Sequence, residues 1–419
     1  MNYSYEITKE RIRSVNVNFD GNQFERMDGT DRVNYTARVL QDGKISIANG
    51  SKPNSADALI KKAAEMVRYG SPHEVPFVGK TDITPLALTD PRTLSPKEMI
   101  ERMGDFVEEL RKLDARLVVS AGLSQTETET EMKTDSGFDA GFAKTVWRCG
   151  FSLELMQEDD QISIWDGESN IGPDFDFDKF RDMLAQKLEH AKTVTDFTPG
   201  AYPVIFVPDE AGYLVRPIVA CLDGNAIYRK VSPWADKLGE KLLDSRLTLT
   251  DEGAINAYPC TPFDKEGTPT RSTTLVEEGV IKDILTNRKV AQLLNRESSG
   301  NASPYGIGPH YLHLNPGTKS LNALIADIDY GMIVESSMGA WSGNPYGGIV
   351  SGTISLGFKI EKGKIAGRVK NCMYTVNAFE HFNKHLRDCS AERTTDGGMV
   401  GTACLPHILL DEVVISTKS

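Results

Sequence analysis

Residues 258–294 read YPCTPFDKEGTPTRSTTLVEEGVIKDILTNRKVAQLL, and their composition indicates how the second half of the chain folds. Prolines and glycines interrupt the stretch at short intervals, and the apolar runs between them are brief. Glycine is frequent throughout the region that follows about residue 196, and few long helical patterns occur there. The second half of the chain is therefore predicted to consist mainly of short β-strands.

Two acidic residues in this stretch, Asp264 and Glu266, are separated by one residue and precede Gly267. On a β-strand this spacing places both carboxylates on one face, where they could bind a cation or the amino groups of a peptide. The alternative, which we favour, is that they shape a turn that ends at Gly267-Thr-Pro269. Asp264, Glu266 and Gly267 are kept as candidates for the lining of a peptide-binding cavity.

The first half of the chain contains both strand and helix patterns. Residues 32–50 hold two alternating runs joined at Asp42-Gly43, a dipeptide typical of β-hairpin turns. The segment TETETEM, residues 126–132, alternates with period two, as a strand with one solvated face does. Apolar residues with helical spacing occur in three further segments, which are residues 55–69, 95–113 and 176–194.

The spacing of apolar residues changes near Pro199-Gly200, where short strand patterns replace helical patterns. A chain of 419 residues exceeds the usual size of one hydrophobic core, so we expect two domains. The sequence predicts an α+β fold with an N-terminal domain of antiparallel sheet and helices, residues 1–195. A β-rich C-terminal domain, residues 196–419, follows it.

The composition limits the classes of function. A net charge of -12 argues against a nucleic-acid-binding surface. The first residues show no secretory signal, and no apolar run reaches the length of a membrane span. The six cysteines are scattered without a Cys-x-x-Cys motif, which favours reduced thiols and a cytoplasmic protein.

His381 and His385, in FEHFNKHLRD, are the first candidates for metal ligands because residues four apart share a helix face. However, Phe382 follows His381 at the position where a zinc protease motif of the HExxH type places its glutamate. We favour an amphipathic helix with two surface imidazoles and keep both histidines as weak metal candidates.

The other histidines and the cysteines are weaker candidates for metal ligands or nucleophiles. His310 and His313 lie three apart in a segment that looks extended, so their side chains are expected on opposite faces. Cys221, Cys260 and Cys404 lack the Gly-x-Ser-x-Gly type of elbow that presents a nucleophile, although a Cys/His pair such as Cys404 and His407 can assemble in space.

Four motifs in residues 238–282 carry a resemblance to a known family. They are LGE (238–240), LTLTD (247–251), PFDKEG (262–267) and LVEEGVIK (275–282). In this combination the chain resembles the TldD/PmbA family, whose members were once named modulators of DNA gyrase. The resemblance extends over most of the chain, and it implies an N-terminal α+β domain and a C-terminal, barrel-like β domain.

The zinc-binding motif of the family's TldD branch, His-Glu-x-x-x-His, has no counterpart here. Counting back without gaps from LGE, its positions fall on residues 215–220, within a predicted helix that begins near Pro208. Val215 and Ala220 then stand where the histidines would be, and Arg216 replaces the glutamate. Valine and alanine cannot bind zinc, and arginine cannot act as a base near neutral pH.

The chain therefore resembles the PmbA branch, also called TldE, and has degenerate motif positions instead of a catalytic site. The resemblance implies a non-catalytic subunit that contains no cofactor and pairs with a TldD-type metalloprotease, whose zinc cleaves unfolded peptides inside a shared cavity. Two alternatives stay open. The first is a metallopeptidase with its metal site relocated to His381 and His385, and the second is a homodimeric peptide-binding protein. A homodimer of the isolated chain also stays open.

Overall fold

An antiparallel sheet of seven strands forms the N-terminal part of the molecule. The computed structural model describes residues 3–51, 56–157, 160–398 and 401–417. The strands of the first sheet are β1 (Ser4–Asp20), β2 (Gln23–Gln41), β3 (Lys44–Gly50), β4 (Ser71–Pro72), β5 (Val118–Thr134), β6 (Asp139–Gln157) and β7 (Asp160–Asn170). Their order across the sheet is β4-β3-β2-β1-β5-β6-β7, so β7 forms one edge.

Two strand predictions for this sheet are confirmed. The turn between β2 and β3 contains Asp42 and Gly43, whose φ angles of 50° and 70° are those of a tight hairpin turn. The alternating segment 126–132 lies within β5. Its glutamates form a charged ladder with β1, because Arg13 forms ion pairs with both Glu127 and Glu129.

Three helices pack against the first sheet, as the apolar spacing predicts. They are α1 (Ala56–Met66), α2 (Pro96–Arg111) and α3 (Phe177–Lys192). Helix α2 begins with a capping box, in which Ser95 and Glu98 each accept a hydrogen bond from the other residue's backbone N–H. Asp176 caps α3 by accepting from the Lys179 N–H. These polar side chains satisfy backbone donors that the first helical turn leaves unpaired.

The second half of the chain forms a sheet that closes on itself. Strand β8 (Gly200–Phe206) pairs with two strands that are distant in sequence, β15 (Tyr330–Met338) and β20 (Gly401–Thr417). The ring is completed through β16 (Ile349–Glu361) and β18 (Cys372–Asn377). The prediction of an α+β fold with a barrel-like C-terminal part is confirmed.

Shorter strands continue the sheet beyond this ring or pair with its strands. On the far side of β20 the order continues through β14, β9 and β10 to β11. The remaining strands are β9 (Leu249–Glu252), β10 (Ser272–Glu277), β11 (Val280–Ile281), β12 (Ala302–Ser303), β13 (Gly306–Ile307), β14 (Leu312–Leu314), β17 (Lys364–Arg368) and β19 (Leu386–Gly398). Strand β19 pairs with β20, and β17 pairs with β16.

The helices of the second half are mostly short. They are α4 (Pro208–Cys221), α5 (Gly224–Tyr228), α6 (Arg288–Leu293), α7 (Leu321–Ala326) and α8 (Ala378–Glu380). Helix α4 confirms the helix predicted near Pro208, with that proline in its first turn. Within the described ranges, every helix is too short or too polar to cross a lipid bilayer.

The central residues of several barrel strands are buried on both faces. On β8, Val204 and Phe206 belong to the core that includes α4, whereas Ile205, together with Val207 directly after the strand, belongs to the core that includes α2 and α3. Strands β15 and β20 divide their side chains between the two cores in the same alternating way. The two sheets are separated in sequence between α3 and β8, yet they share a hydrophobic core.

A buried carboxylate fastens α4 to the barrel. Glu210, in the first turn of the helix, is 3% exposed and accepts hydrogen bonds from the Ser337 N–H and Oγ–H, both at 2.7 Å, and from the Tyr374 hydroxyl at 3.2 Å. Burial raises the pKa of Glu210, and these hydrogen bonds oppose the increase. Gly352 provides the space, since a Cβ atom there would lie 2.8 Å from Ser337 Oγ.

Replacing this carboxylate tests how strongly it holds the helix. We expect Glu210→Ala to lower the free energy of unfolding by about 3 kcal/mol, because the Ser337 and Tyr374 donors would stay buried without an acceptor. Glu210→Gln keeps an acceptor oxygen and should cost less. Glu240→Ala, which removes an exposed partner of Lys237, should stay within about 0.5 kcal/mol of the parent. Urea unfolding measures all three, and equal losses for Glu210→Ala and Glu240→Ala would contradict this role.

Candidate functional site

The degenerate motif positions lie on helix α4 and do not form a metal site. Val215 is 1% exposed and belongs to the apolar core beneath the barrel strands. Arg216 is half-buried and donates from Nη1 to the Trp341 carbonyl at 3.1 Å. Ala220 carries no donor atom, and no three His, Cys, Asp or Glu side chains of the described chain come together to hold a metal. The residues at these positions therefore do not fit a zinc ion.

His381 and His385 do not lie on the expected amphipathic helix. Helix α8 has three residues, and a π-helical turn, His381–His385, follows it. His381 is buried, not on the surface, because its ring lies 2.8 Å from the Asn377 carbonyl through Nδ1 and 3.4 Å from the Glu412 carbonyl through Nε2. The prediction of two surface imidazoles is wrong for His381.

The turn at Asp264–Gly267 joins the two halves of the molecule. Asp264 accepts from the N–H groups of Glu266 and Thr268 with one oxygen and from Ala302 with the other, at 2.8, 3.0 and 2.9 Å. Burial raises the pKa of Asp264 to about 6, although these backbone donors act in the opposite direction. The carboxylate of Asp264 is thus occupied by its own turn, which agrees with the favoured interpretation of the sequence.

The two neighbours of Asp264 in this turn are also engaged. Glu266 accepts from the Arg288 N–H at 2.8 Å, at the start of α6. Gly267 has a φ of +76° and lies against Val78 and Met132 of the N-terminal half. The cavity described below is lined by other segments of the chain.

The remaining histidine and cysteine candidates have separate partners. His310 Nε2 lies 2.7 Å from the Gly300 carbonyl, whereas the His313 ring packs edge-on against Tyr311. All six cysteines are free, as the sequence predicts. Burial raises the pKa of Cys221 to about 12 and that of Cys260 to about 11, so neither thiol provides a thiolate nucleophile near neutral pH.

A cavity of about 1340 Å³ lies between the two halves of the chain. We call it the interdomain cavity. Its walls include residues 163–171 of the N-terminal half, one face of α3, and residues 392–395 of β19. This volume exceeds that of an ordinary small-molecule pocket, which is roughly 300–1,000 Å³.

A lysine at the wall of the interdomain cavity joins three elements. Lys187 on α3 lies 2.9 Å from Glu335 on β15 and 3.3 Å from Asp166 on β7. Burial alone would lower the pKa of Lys187, but the charges of Glu335 and Asp166 outweigh it and raise the pKa above the usual range. Lys187 therefore stays charged and holds the carboxylates of Glu335 and Asp166 in place, and it is not available as a base.

His407 lines the same cavity close to Lys187. Its Nδ1 lies 3.2 Å from Ser390 Oγ, and its backbone N–H donates to the same oxygen at 2.9 Å. Burial, assisted by the positive charge of Lys187, lowers the pKa of His407 to about 4. His407 is consequently neutral at physiological pH.

Only weak signals in the sequence indicate this cavity. Lys187 falls on the apolar face of α3, next to Leu184 and Leu188, and Glu335 interrupts the apolar run of β15. A charged residue on an otherwise apolar face indicates a buried partner, but it does not identify that partner. The cavity contains fixed charges and polar groups that can bind and orient a ligand.

Comparisons with known proteins relate the chain to metallopeptidases. The family model described as PmbA/TldA metallopeptidase C-terminal domain matches residues 199–417. Metalloprotease PmbA of Escherichia coli O157:H7 is 25% identical over 377 residues, which cover 85% of this chain and 80% of the relative. A metalloprotease of Methanothermobacter thermautotrophicus is 25% identical over 367 residues, covering 83% of this chain and 79% of the relative.

A solved structure shares the whole fold. TldE from Thermococcus kodakarensis superposes with a TM-score of 0.92 at 23% sequence identity, and the match covers 99% of this chain and 96% of that chain. At this level of identity the comparison establishes the arrangement of strands and helices described above.

The turn at Gly267 can be tested with a matched pair of glycine variants. Gly21 and Gly267 both have positive φ angles, but a Cβ atom at Gly21 meets nothing within 4 Å, whereas one at Gly267 would lie 2.6 Å from Val78. We expect Gly21→Ala to cost about 1 kcal/mol of stability through backbone strain, and Gly267→Ala about 3 kcal/mol because overpacking is added. Equal losses in urea unfolding would show that Gly267 is not a packed contact.

His407 predicts a specific pH dependence of stability. Its folded-state pKa is below the ordinary value of 6.5, so its neutral form contributes stability above pH 6.5 that is lost as the pH falls toward 4. Between pH 7.5 and pH 5 this group should cost the parent protein about 2 kcal/mol. We expect His407→Gln to lose less stability over this range in urea unfolding, and parallel pH profiles would contradict the assignment.

Proposed function

The chain belongs to the PmbA/TldD metallopeptidase family, and we propose that it is the subunit of a heterodimeric protease that lacks its own zinc site. In this proposal a TldD-type partner carries the zinc, and the two chains together degrade or trim unfolded peptides. The free thiols of all six cysteines support a reducing, cytoplasmic compartment for the complex.

The observation that carries the proposal is the chemistry of α4. Val215 and Ala220 have no atoms that bind a metal, and Val215 is packed into the apolar core. Moreover, the Arg216 guanidinium is occupied by the Trp341 carbonyl. The helix keeps its packing role in the barrel, so the loss of donor atoms does not affect the fold.

The role left for this chain is to hold the substrate. Zinc in the partner would activate a water molecule for attack on a peptide carbonyl. The interdomain cavity offers fixed charges and backbone groups over a large volume, and neither Lys187 nor His407 is poised to exchange protons near neutral pH. These properties support binding and orientation of a peptide.

Reconstitution tests this function directly. The chain should be purified alone, and together with a TldD-type protein that carries His-Glu-x-x-x-His, and each sample supplied with an unstructured peptide and zinc. We expect the chain alone to be inactive, and the pair to co-elute and cleave the peptide until a chelator is added.

Two controls complete the test. The same pair with the first motif histidine of the partner replaced by alanine should be assembled but inactive. Chelator-sensitive cleavage by the chain alone, or failure of the two proteins to associate, would overturn the proposal.

A further inference from the structure

Strand β7 is the edge of the N-terminal sheet, and it lines the interdomain cavity. All nine residues from 163 to 171 line this cavity. Arg148, Cys149 and Gly150 of the neighbouring strand β6 line it as well, so the cavity also extends over part of the sheet. Strand β7 pairs only with β6 in the described structure, and its other side has no partner strand.

One hydrogen bond fixes the direction of the free backbone groups. The Gly167 N–H donates to the carboxylate of its neighbour Asp166 at 2.8 Å and is therefore not paired with β6. In an antiparallel ladder, residues alternate between pairing with the neighbouring strand and pointing away from it. The backbone groups of Ser163, Trp165, Gly167 and Ser169 thus point away from β6, and of their N–H groups that of Gly167 is occupied by Asp166.

A pair of glycines lies next to this edge. Gly167 lies opposite Gly150 on β6, so one face of the sheet carries no side chains there. A Cβ atom at Gly150 would be 3.9 Å from its nearest neighbour, the Asp166 carbonyl, whereas one at Gly167 would lie 2.7 Å from the Cys149 carbonyl, so packing within the chain requires glycine at 167 and not at 150. Glycine inside a strand weakens it and is typical of places where another backbone or a ligand approaches closely.

Uncompensated positive charge lies at one end of the edge. Arg148 is the cross-strand partner of Ser169 and lines the cavity. Its guanidinium forms no ion pair or hydrogen bond within the described residues. Lys144, on the same face of β6, has a pKa lowered to about 8, chiefly by burial and further by the charge of Arg148. A carboxylate bound here would satisfy the Arg148 guanidinium.

We propose that the outer edge of β7 binds an extended peptide of mixed sequence by strand addition, with a peptide carboxylate paired to Arg148. Backbone pairing makes such a site tolerant of sequence, and the carboxylate adds a preference for acidic peptides. The edge from Ser163 to Ser169 accommodates about seven residues. The inference rests on the proposed function for the source of the peptide, and the site itself requires neither zinc nor a partner.

Proline substitutions at the outward positions test the backbone pairing. The N–H groups of Ser163 and Ser169 do not pair with β6, so Ser163→Pro and Ser169→Pro remove outward-pointing donors and keep the sheet intact. The probe is a fluorescein-labelled, unstructured heptapeptide with one glutamate, titrated with the isolated chain and followed by fluorescence anisotropy. We expect saturable binding that the proline pair weakens at least about tenfold, through the loss of two hydrogen bonds.

Alanine and folding controls separate this effect from damage to the sheet. Ser163→Ala with Ser169→Ala should bind as the parent does, since the backbone donors remain. Circular dichroism and a thermal melt should show the same fold in all variants. If the two proline substitutions unfold the protein, chemically modified peptides test the backbone pairing instead, because they leave the protein unchanged.

Two peptides with N-methyl groups on alternate residues test the same backbone pairing, because the modification removes hydrogen-bond donors of the peptide. One is methylated on its odd-numbered residues and the other on its even-numbered residues, so each loses the donors of one edge only. We expect one of them to bind as the unmodified peptide and the other to fail. Arg148→Gln should weaken the glutamate peptide several-fold and leave its glutamine analogue unaffected.

The outcomes also distinguish this site from the proposed function. Absence of saturable binding, equal behaviour of the two methylated peptides, or insensitivity to the proline pair in a folded protein would each overturn the strand-addition site. Binding with the expected pattern, together with failure of a TldD-type protein to associate, would preserve the site and reject the heterodimer.

Discussion

The central residues of the barrel strands pack into a hydrophobic core on each side of the sheet, and the rest of the molecule depends on this constraint. On β8, alternate side chains enter two different cores, one with α4 and one with the helices of the first sheet. A shift of β8 by one residue would exchange every side chain between the two cores. The pairing of β8 with both β15 and β20 therefore fixes the position of the N-terminal half as well as that of the barrel.

The same constraint explains how α4 is held. The helix follows β8 directly, and its buried residues belong to the barrel core. The Glu210 carboxylate attaches it to β15 and β18 through Ser337 and Tyr374. Side-chain packing and these buried hydrogen bonds therefore fix the helix against the barrel.

Local signals in the sequence predicted the elements that local forces determine. The capping box at Ser95, the hairpin at Asp42-Gly43 and the alternation in residues 126–132 each satisfy backbone groups or faces within a few residues. The motifs of residues 238–282 added the closed C-terminal sheet through their resemblance to a family. These predictions depend on contacts between residues close in sequence or on recognisable sequence motifs.

The candidate site could not be predicted in the same way. Lys187, Asp166 and Glu335 lie on three elements that meet only after the two halves have packed together. His381 was expected on a helix surface, but the α-helix ends after three residues and widens into a π-helical turn, and the ring is enclosed near the Glu412 carbonyl. The periodicity of apolar residues does not reveal contacts between segments that are distant in sequence.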